Sequence, residues 1–136
     1  MSYAMAGALQ AAIYTALVGD TALDALVSGA IYDAVPSGTA PDTYVSVGQE
    51  TARDASDKTG NGAVHLVDVA VITTEPGFAS AKAVAAAISD VLSDADLTLS
   101  RGRLVSLRFV RAQAVRIDAS AAREIRLRFR ARVEDE

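Results

Sequence analysis

Cysteine is absent from the 136 residues. Neither a disulfide framework nor a thiolate metal site can be built, and the chain suits a reducing compartment. Tryptophan is also missing, and aromatic residues make up only 5%. The core must therefore come from alanine, valine and leucine. A core so thin would gain from burying more surface in an assembly. The single histidine, His65, sits in "GAVHLVDVAV" and reads as an ordinary strand residue near a loop. One histidine without cysteine argues against zinc. No G-x-S-x-G nucleophile elbow occurs. No lysine or arginine precedes Arg53, so "YAMAGALQAAIYTALVG" lacks the basic flank of a secretory signal. That stretch contains Gln10 and is too short to span a bilayer, so no membrane partner is expected.

What charge there is lies unevenly. Residues 1–100 hold Arg53, Lys58 and Lys82 against twelve acids, a balance of −9. Residues 101–136 hold ten arginines against five acids, a balance of +5. The two add up to the formal net charge of −4. One face or edge is thus expected to be basic on an otherwise acidic molecule. The length suits one domain spanning 1–136 and allows about two-thirds of the unfolded surface to be buried.

Hydrophobic periodicity then sets the elements. Met5, Leu9, Ile13 and Leu17 predict a helix over 3–18, with Gly19 as its C′ stop. Asp20 is placed to cap a short second helix carrying Leu23 and Leu26 and ending at Gly29. A short strand is expected over 31–35, then turn chemistry at Pro36-Ser37-Gly38 and Ala40-Pro41-Asp42. A strand over 44–53 leads into the polar loop or hairpin tip "DASDKTGNG", residues 54–62. Residues 63–74 are apolar at both parities and predict a central strand covered on both faces. After Glu75-Pro76-Gly77, an apolar stripe predicts a helix over 78–92. A strand over 103–117 loses its alternation at Arg111 and Gln113, which predicts a bulge. A last strand over 123–133 puts Ile125 to Val133 on one face and Arg126, Arg128, Arg130 and Arg132 on the other. The order α–α–β–β–β–α–β–β predicts an α+β fold with a mostly antiparallel sheet of four to five strands.

Three features invite chemistry. Gly60-Asn61-Gly62 resembles half of a phosphate loop, but such loops need a helix directly after them and a strand follows here. A hairpin turn accounts for it better. Asp90 and Asp94 share a helical face near a C-terminus, with Asp96 just beyond, where the macrodipole disfavours negative charge. Solvated residues, a positive partner outside the helix, and acid/base chemistry are the readings, in that order. The row Arg126, Arg128, Arg130 and Arg132 could contact nucleic-acid phosphates. The acidic chain and the poor aromatic interleaving favour a solvated or interface-facing strand instead. Four like charges repel, so carboxylates are expected opposite them, from this chain or a neighbour.

The ordered pieces resemble a known family end to end. "LQAAIYTALVGDTALDALVSGAIYDAVPSG" is followed by "APDTYVSVGQ", "DASDKTGNGAVHLVDVAVIT", "AAAISDVLSD" and "GRLVSLRFVRAQAVRIDASAAREIRLRFRARVE". This is similar to the small tail completion, or tail terminator, proteins of long-tailed phages and phage-like particles. The structural signature is Tyr32, Pro36, Pro41, Tyr44 and Gly48. The resemblance implies a ring, usually hexameric, capping the head-proximal end of the tail tube. The ring stops tube polymerisation and docks the head-side stopper or connector. Duplex DNA passes through its lumen without specific binding.

Neither catalysis nor a cofactor is implied. The expected location is the neck of a virion or phage-like particle, assembled in the bacterial cytoplasm. The alanine- and arginine-rich composition resembles that of gene transfer agents. Subunit contacts are expected between Arg126, Arg128, Arg130 and Arg132 of one copy and Asp90, Asp94 and Asp96 of the next. Asp54, Asp57, Lys58, Gly60, Asn61 and Gly62 form the loop expected to touch tube, connector or lumen. Acidic residues of the 50–58 region are expected nearest the channel. Alternatives are another neck or tube component (stopper or tube protein), or a nucleic-acid-binding module using the arginine strands.

Overall fold

The computed structural model describes residues 3–33, 41–56, 61–117 and 122–135. Leu9, Ile13 and Leu17 recur every four residues on helix α1 (Ala6–Val18), and all three are buried. Met5 precedes α1 without a side-chain cap, so the helix starts later than the periodicity predicts. Its end also differs in mechanism. Gly19 stays in the right-handed region (φ −79°) instead of turning left-handed. What stops α1 is Asp20, which goes extended and accepts from the Leu23 N–H at 2.9 Å. That N-cap opens helix α2 (Thr21–Val27), which closes with Ser28 and Gly29 both at positive φ.

Strand β1 is only Ile31–Tyr32, shorter than predicted. It pairs in parallel with β2 (Thr43–Asp54). Strand β3 (Asn61–Thr73) pairs antiparallel with β2 on one side and with β5 (Arg123–Asp135) on the other. Strand β4 (Arg103–Arg116) is the far edge, antiparallel to β5. The sheet order is β1-β2-β3-β5-β4. Helix α3 (Ala79–Leu92) lies between β3 and β4 in the chain and buries Ala81, Val84, Ala85, Ile88 and Leu92. The predicted α+β fold and element order are the observed ones.

The core lies between the helices and one face of the sheet. Val67, Val69 and Val71 of β3 and Leu127, Phe129, Ala131 and Val133 of β5 fill it, each nearly or fully buried. The expectation that β3 is covered on both faces needs correction. The other face carries no helix, and Leu66, Ala70 and Ile72 are only half-buried there. The apolar residues on that face misled because they sit beside Arg126 and Arg128 of β5, which line depressions with Leu66, Ala70 and Ile72 where no second layer packs.

Gly48 has φ 138° at the point where β2 slips register between Val47 and Gln49. It marks a bulge, as its place in a strand suggested. Strand β4 slips at two places, between Leu104 and Ser106 and between Phe109 and Arg111.

Candidate functional site

Alternation in β5 projects Arg126, Arg128, Arg130 and Arg132 onto the face without helices, while Ile125 to Val133 point into the core. Register on β4 brings Arg108 opposite Arg130 and Arg111 opposite Arg128. Arg53 of β2 lies opposite Val64 and shares that face. The outer face is therefore a sheet of guanidinium groups.

Two carboxylates partly neutralise it. Asp68 accepts from Arg128 Nε at 2.9 Å and from its Nη2 at 3.2 Å. This fork-to-fork pair is the strong geometry for arginine and carboxylate, and it holds the Arg128 guanidinium above its ordinary pKa. Asp68 is only 8% exposed, so the pair is also what makes its burial tolerable. Glu124 accepts from Arg126 at 3.0 Å. Arg132 donates to the Ala55 carbonyl at 3.3 Å. Among the described residues, Arg53, Arg108, Arg111 and Arg130 form no ion pair. A shallow depression of about 460 Å³ over this face is lined by Gln49, Thr51, Leu66, Asp68, Arg126 and Arg128, among others.

The expected opposing carboxylates thus come in part from this chain, and they are Asp68 and Glu124. Asp90, Asp94 and Asp96 are not brought to the arginine row within one copy. Asp90 is exposed on α3. Asp94 sits at φ 57° and its N–H donates to the Leu107 carbonyl, which lays residues 94–96 along the free edge of β4. None of the three forms an ion pair among the described residues. Asp68 went unsingled in the sequence, although a carboxylate at mid-strand in "VHLVDVAV" is a signal. A charge there must be paired.

Tyr32 and Tyr44 pack ring to ring with centroids 5.9 Å apart, which pins the two ends of the segment between them. Pro41 is exposed at its far end, and Pro36 lies outside the described residues. Of the predicted loop, Asp54, Asn61 and Gly62 are in strands, as a correction to the loop assignment. The reason is local. A Cβ on Gly62 would lie 2.9 Å from the Ala55 carbonyl, so glycine lets the β2–β3 hairpin close tightly. Ser56 donates to Asp54 at 2.6 Å and holds its carboxyl below the ordinary range. Asp57, Lys58 and Gly60 lie outside the described residues.

His65 departs most from expectation. It is fully buried on the core face, with Nδ1 2.9 Å from Glu50 Oε2. The other Glu50 oxygen accepts from the Tyr3 hydroxyl, and the Tyr3 ring stacks on His65 with centroids 6.1 Å apart. His65 Nε2 has no hydrogen-bond partner among the described residues. The triad ties the segment before α1 to the sheet.

Comparison with known proteins decides the family. The family model described as "Tail completion protein gp17" matches residues 11–134. The chain belongs to that family. A solved chain described as "Virion of native gene transfer agent (GTA) particle" is 61% identical, covers 98% of this chain and 99% of its own length, and superposes with a TM-score of 0.94. No curated protein matches. Membership in the tail completion family makes this a structural protein of a tail, and the resemblance read from the ordered motifs is the correct one.

Proposed function

We propose that the chain is a tail terminator. Copies form a hexameric ring on the head-proximal end of the tail tube, end its polymerisation and join it to the head-side connector, leaving a lumen for duplex DNA. The particle is a phage or gene transfer agent. The observation that carries this reading is the match over 11–134 together with the near-complete likeness to a chain of a gene transfer agent virion. The surface supports it independently. A cyclic ring uses heterologous contacts, one patch meeting a different patch on the next copy. This chain keeps Arg126, Arg128, Arg130 and Arg132 on an uncovered sheet face, while Asp90 lies on α3 and Asp94 and Asp96 lie beside the edge of β4.

Arginines left unpaired in one copy, Arg108, Arg130 and Arg111, join Arg126, Arg128 and Arg132 in facing acids of the neighbour, with Asp90, Asp94 and Asp96 as partners. Each exposed pair contributes only about 0–1 kcal/mol. Such pairs set orientation and register more than affinity. The 54–62 hairpin faces tube, connector or lumen.

The test is tube growth in vitro. Added to polymerising tube protein, the chain is expected to stop elongation at substoichiometric amounts and to remain at one tube end. Copolymerisation along the tube, or filaments of the chain alone, would assign it as a tube protein. Steeply salt-dependent binding to duplex DNA would instead favour a nucleic-acid module on the arginine face.

A further inference from the structure

Strand β4 has a second half that its own subunit leaves uncovered. From Arg108 to Arg116 every one of nine consecutive residues is exposed. A strand inside a sheet normally buries at least one face. Here both faces are open and only one edge is paired, to β5. The free edge is covered at Leu107 by the Asp94 N–H, and among the described residues nothing bonds to it beyond that point. The flange is also apolar. Phe109 and Val110 are 45% and 46% exposed, and Val115 is 36% exposed. The Phe109 ring meets the buried Phe129 edge-on at 5.9 Å, so it is held firmly in place. Long apolar edges recruit other chains unless blunted, and here Arg108, Arg111 and Arg116 interrupt it.

Charge selects the occupant. The flange holds those three arginines and no acid. The helix layer is its complement: residues 3–33 contain Asp20, Asp24 and Asp33 and no lysine or arginine. On that layer an open groove of about 400 Å³ runs between α1 and residues 96–100, floored by alanines and rimmed by Asp96. One chain carries both halves. Asp96 also lies beside Arg108 within one copy, but the alanine floor of the groove is lined by none of the flange residues, which leaves it open to the flange of another copy in a head-to-tail contact.

We propose that the flange Arg108–Arg116 is covered by the helix layer of a second copy of this chain. Phe109 and Val110 seat in the groove between α1 and residues 96–100, and Arg108 and Arg111 face Asp96 and its neighbours. This rests on the ring reading and names the surface that closes the ring. It differs from the arginine row, because the contact is anchored by apolar side chains at the sheet edge and uses charge to choose the partner.

The chain has no cysteine, so cross-linking is clean. Full-length chain carrying Val110→Cys and Thr98→Cys replaces the wild type in particles, which are treated with a short bismaleimide. A ladder of multimers is expected from the double variant and none from either single variant. Intact particles whose double variant gives no ladder overturn the proposal and leave the ring reading standing. The ring reading fails separately if native mass spectrometry of wild-type chain released from particles finds single copies.

If the cysteine variant does not enter particles, solution association decides. Phe109→Asp, with its folding checked by circular dichroism, is expected to raise the concentration needed for self-association at least tenfold. Arg108→Glu with Arg111→Glu is expected to do the same, and Asp96→Arg to recover part of the loss. Wild-type self-association by Phe109→Asp contradicts the proposal.

Discussion

Gly102 shows how much one residue without a side chain can decide. Its φ is +69°, and a Cβ there would lie 2.5 Å from the Glu134 carbonyl and 2.6 Å from the Met5 sulfur. The sulfur could move, but the carbonyl is fixed in the β4–β5 pairing. Gly102→Ala is therefore expected to lower stability by about 2–4 kcal/mol in urea unfolding, combining left-handed strain with a backbone clash. Gly48→Ala, with φ 138° and no contact under 3.4 Å, should cost only the strain, about 1 kcal/mol. A second residue-scale prediction concerns Tyr3. Its hydrogen bond to Glu50, reinforced by the nearby carboxylate charge, raises its pKa above 10.0. A raised folded-state pKa gives stability that is fully present below the unfolded value and is lost as pH rises through the folded one. Wild type should thus lose stability relative to Tyr3→Phe above pH about 10 and show a constant difference below pH about 9. A pH-independent difference would mean that the hydroxyl is not held by Glu50.

At the scale of elements, Arg128 and Asp68 tie β5 to β3 across the open face. Arg128→Ala leaves a nearly buried carboxylate unpaired. Since Arg128 is itself one-third exposed, the expected loss is about 1–3 kcal/mol by chemical denaturation, less than for a fully buried pair. Adding Asp68→Asn should restore part of it, and a double variant as unstable as the single one would argue against the pair. The elements were largely legible in the sequence because their signals are local. Four-residue spacing set α1 and α3, and strict alternation set the two faces of β5. Gly48 and the break at Arg111 gave the bulges. What escaped was set by neighbours distant in the chain. The burial of His65 depends on Glu50 and Tyr3, and the pairing of Asp68 depends on β5. The half-open state of β3 depends on which face the helices took. No periodicity in β4 shows that its second half lacks cover, since Phe109, Ala112 and Ala114 look like core positions until the extent of α3 is known.

For the whole molecule, the division into an acidic helix layer and a basic sheet edge would direct the proposed self-association electrostatically. If copies close into the proposed ring, added salt is expected to slow its formation more than it loosens the finished ring, because rim charges act mainly on encounter while the proposed apolar flange contact holds it. Stopped-flow light scattering at low and physiological ionic strength measures this, and equal slowing of assembly and loosening of the ring would place the affinity in the charges. The candidate surface was half legible. The arginine row was plain from alternation, whereas its acids and the apolar flange needed the tertiary arrangement. The central claim, that this member of the tail completion family ends the tail tube and joins it to the head, is tested most directly by electron microscopy of particles from cells lacking the gene. The account predicts tails of uncontrolled length and heads left unattached. Particles of normal tail length with heads joined would contradict it.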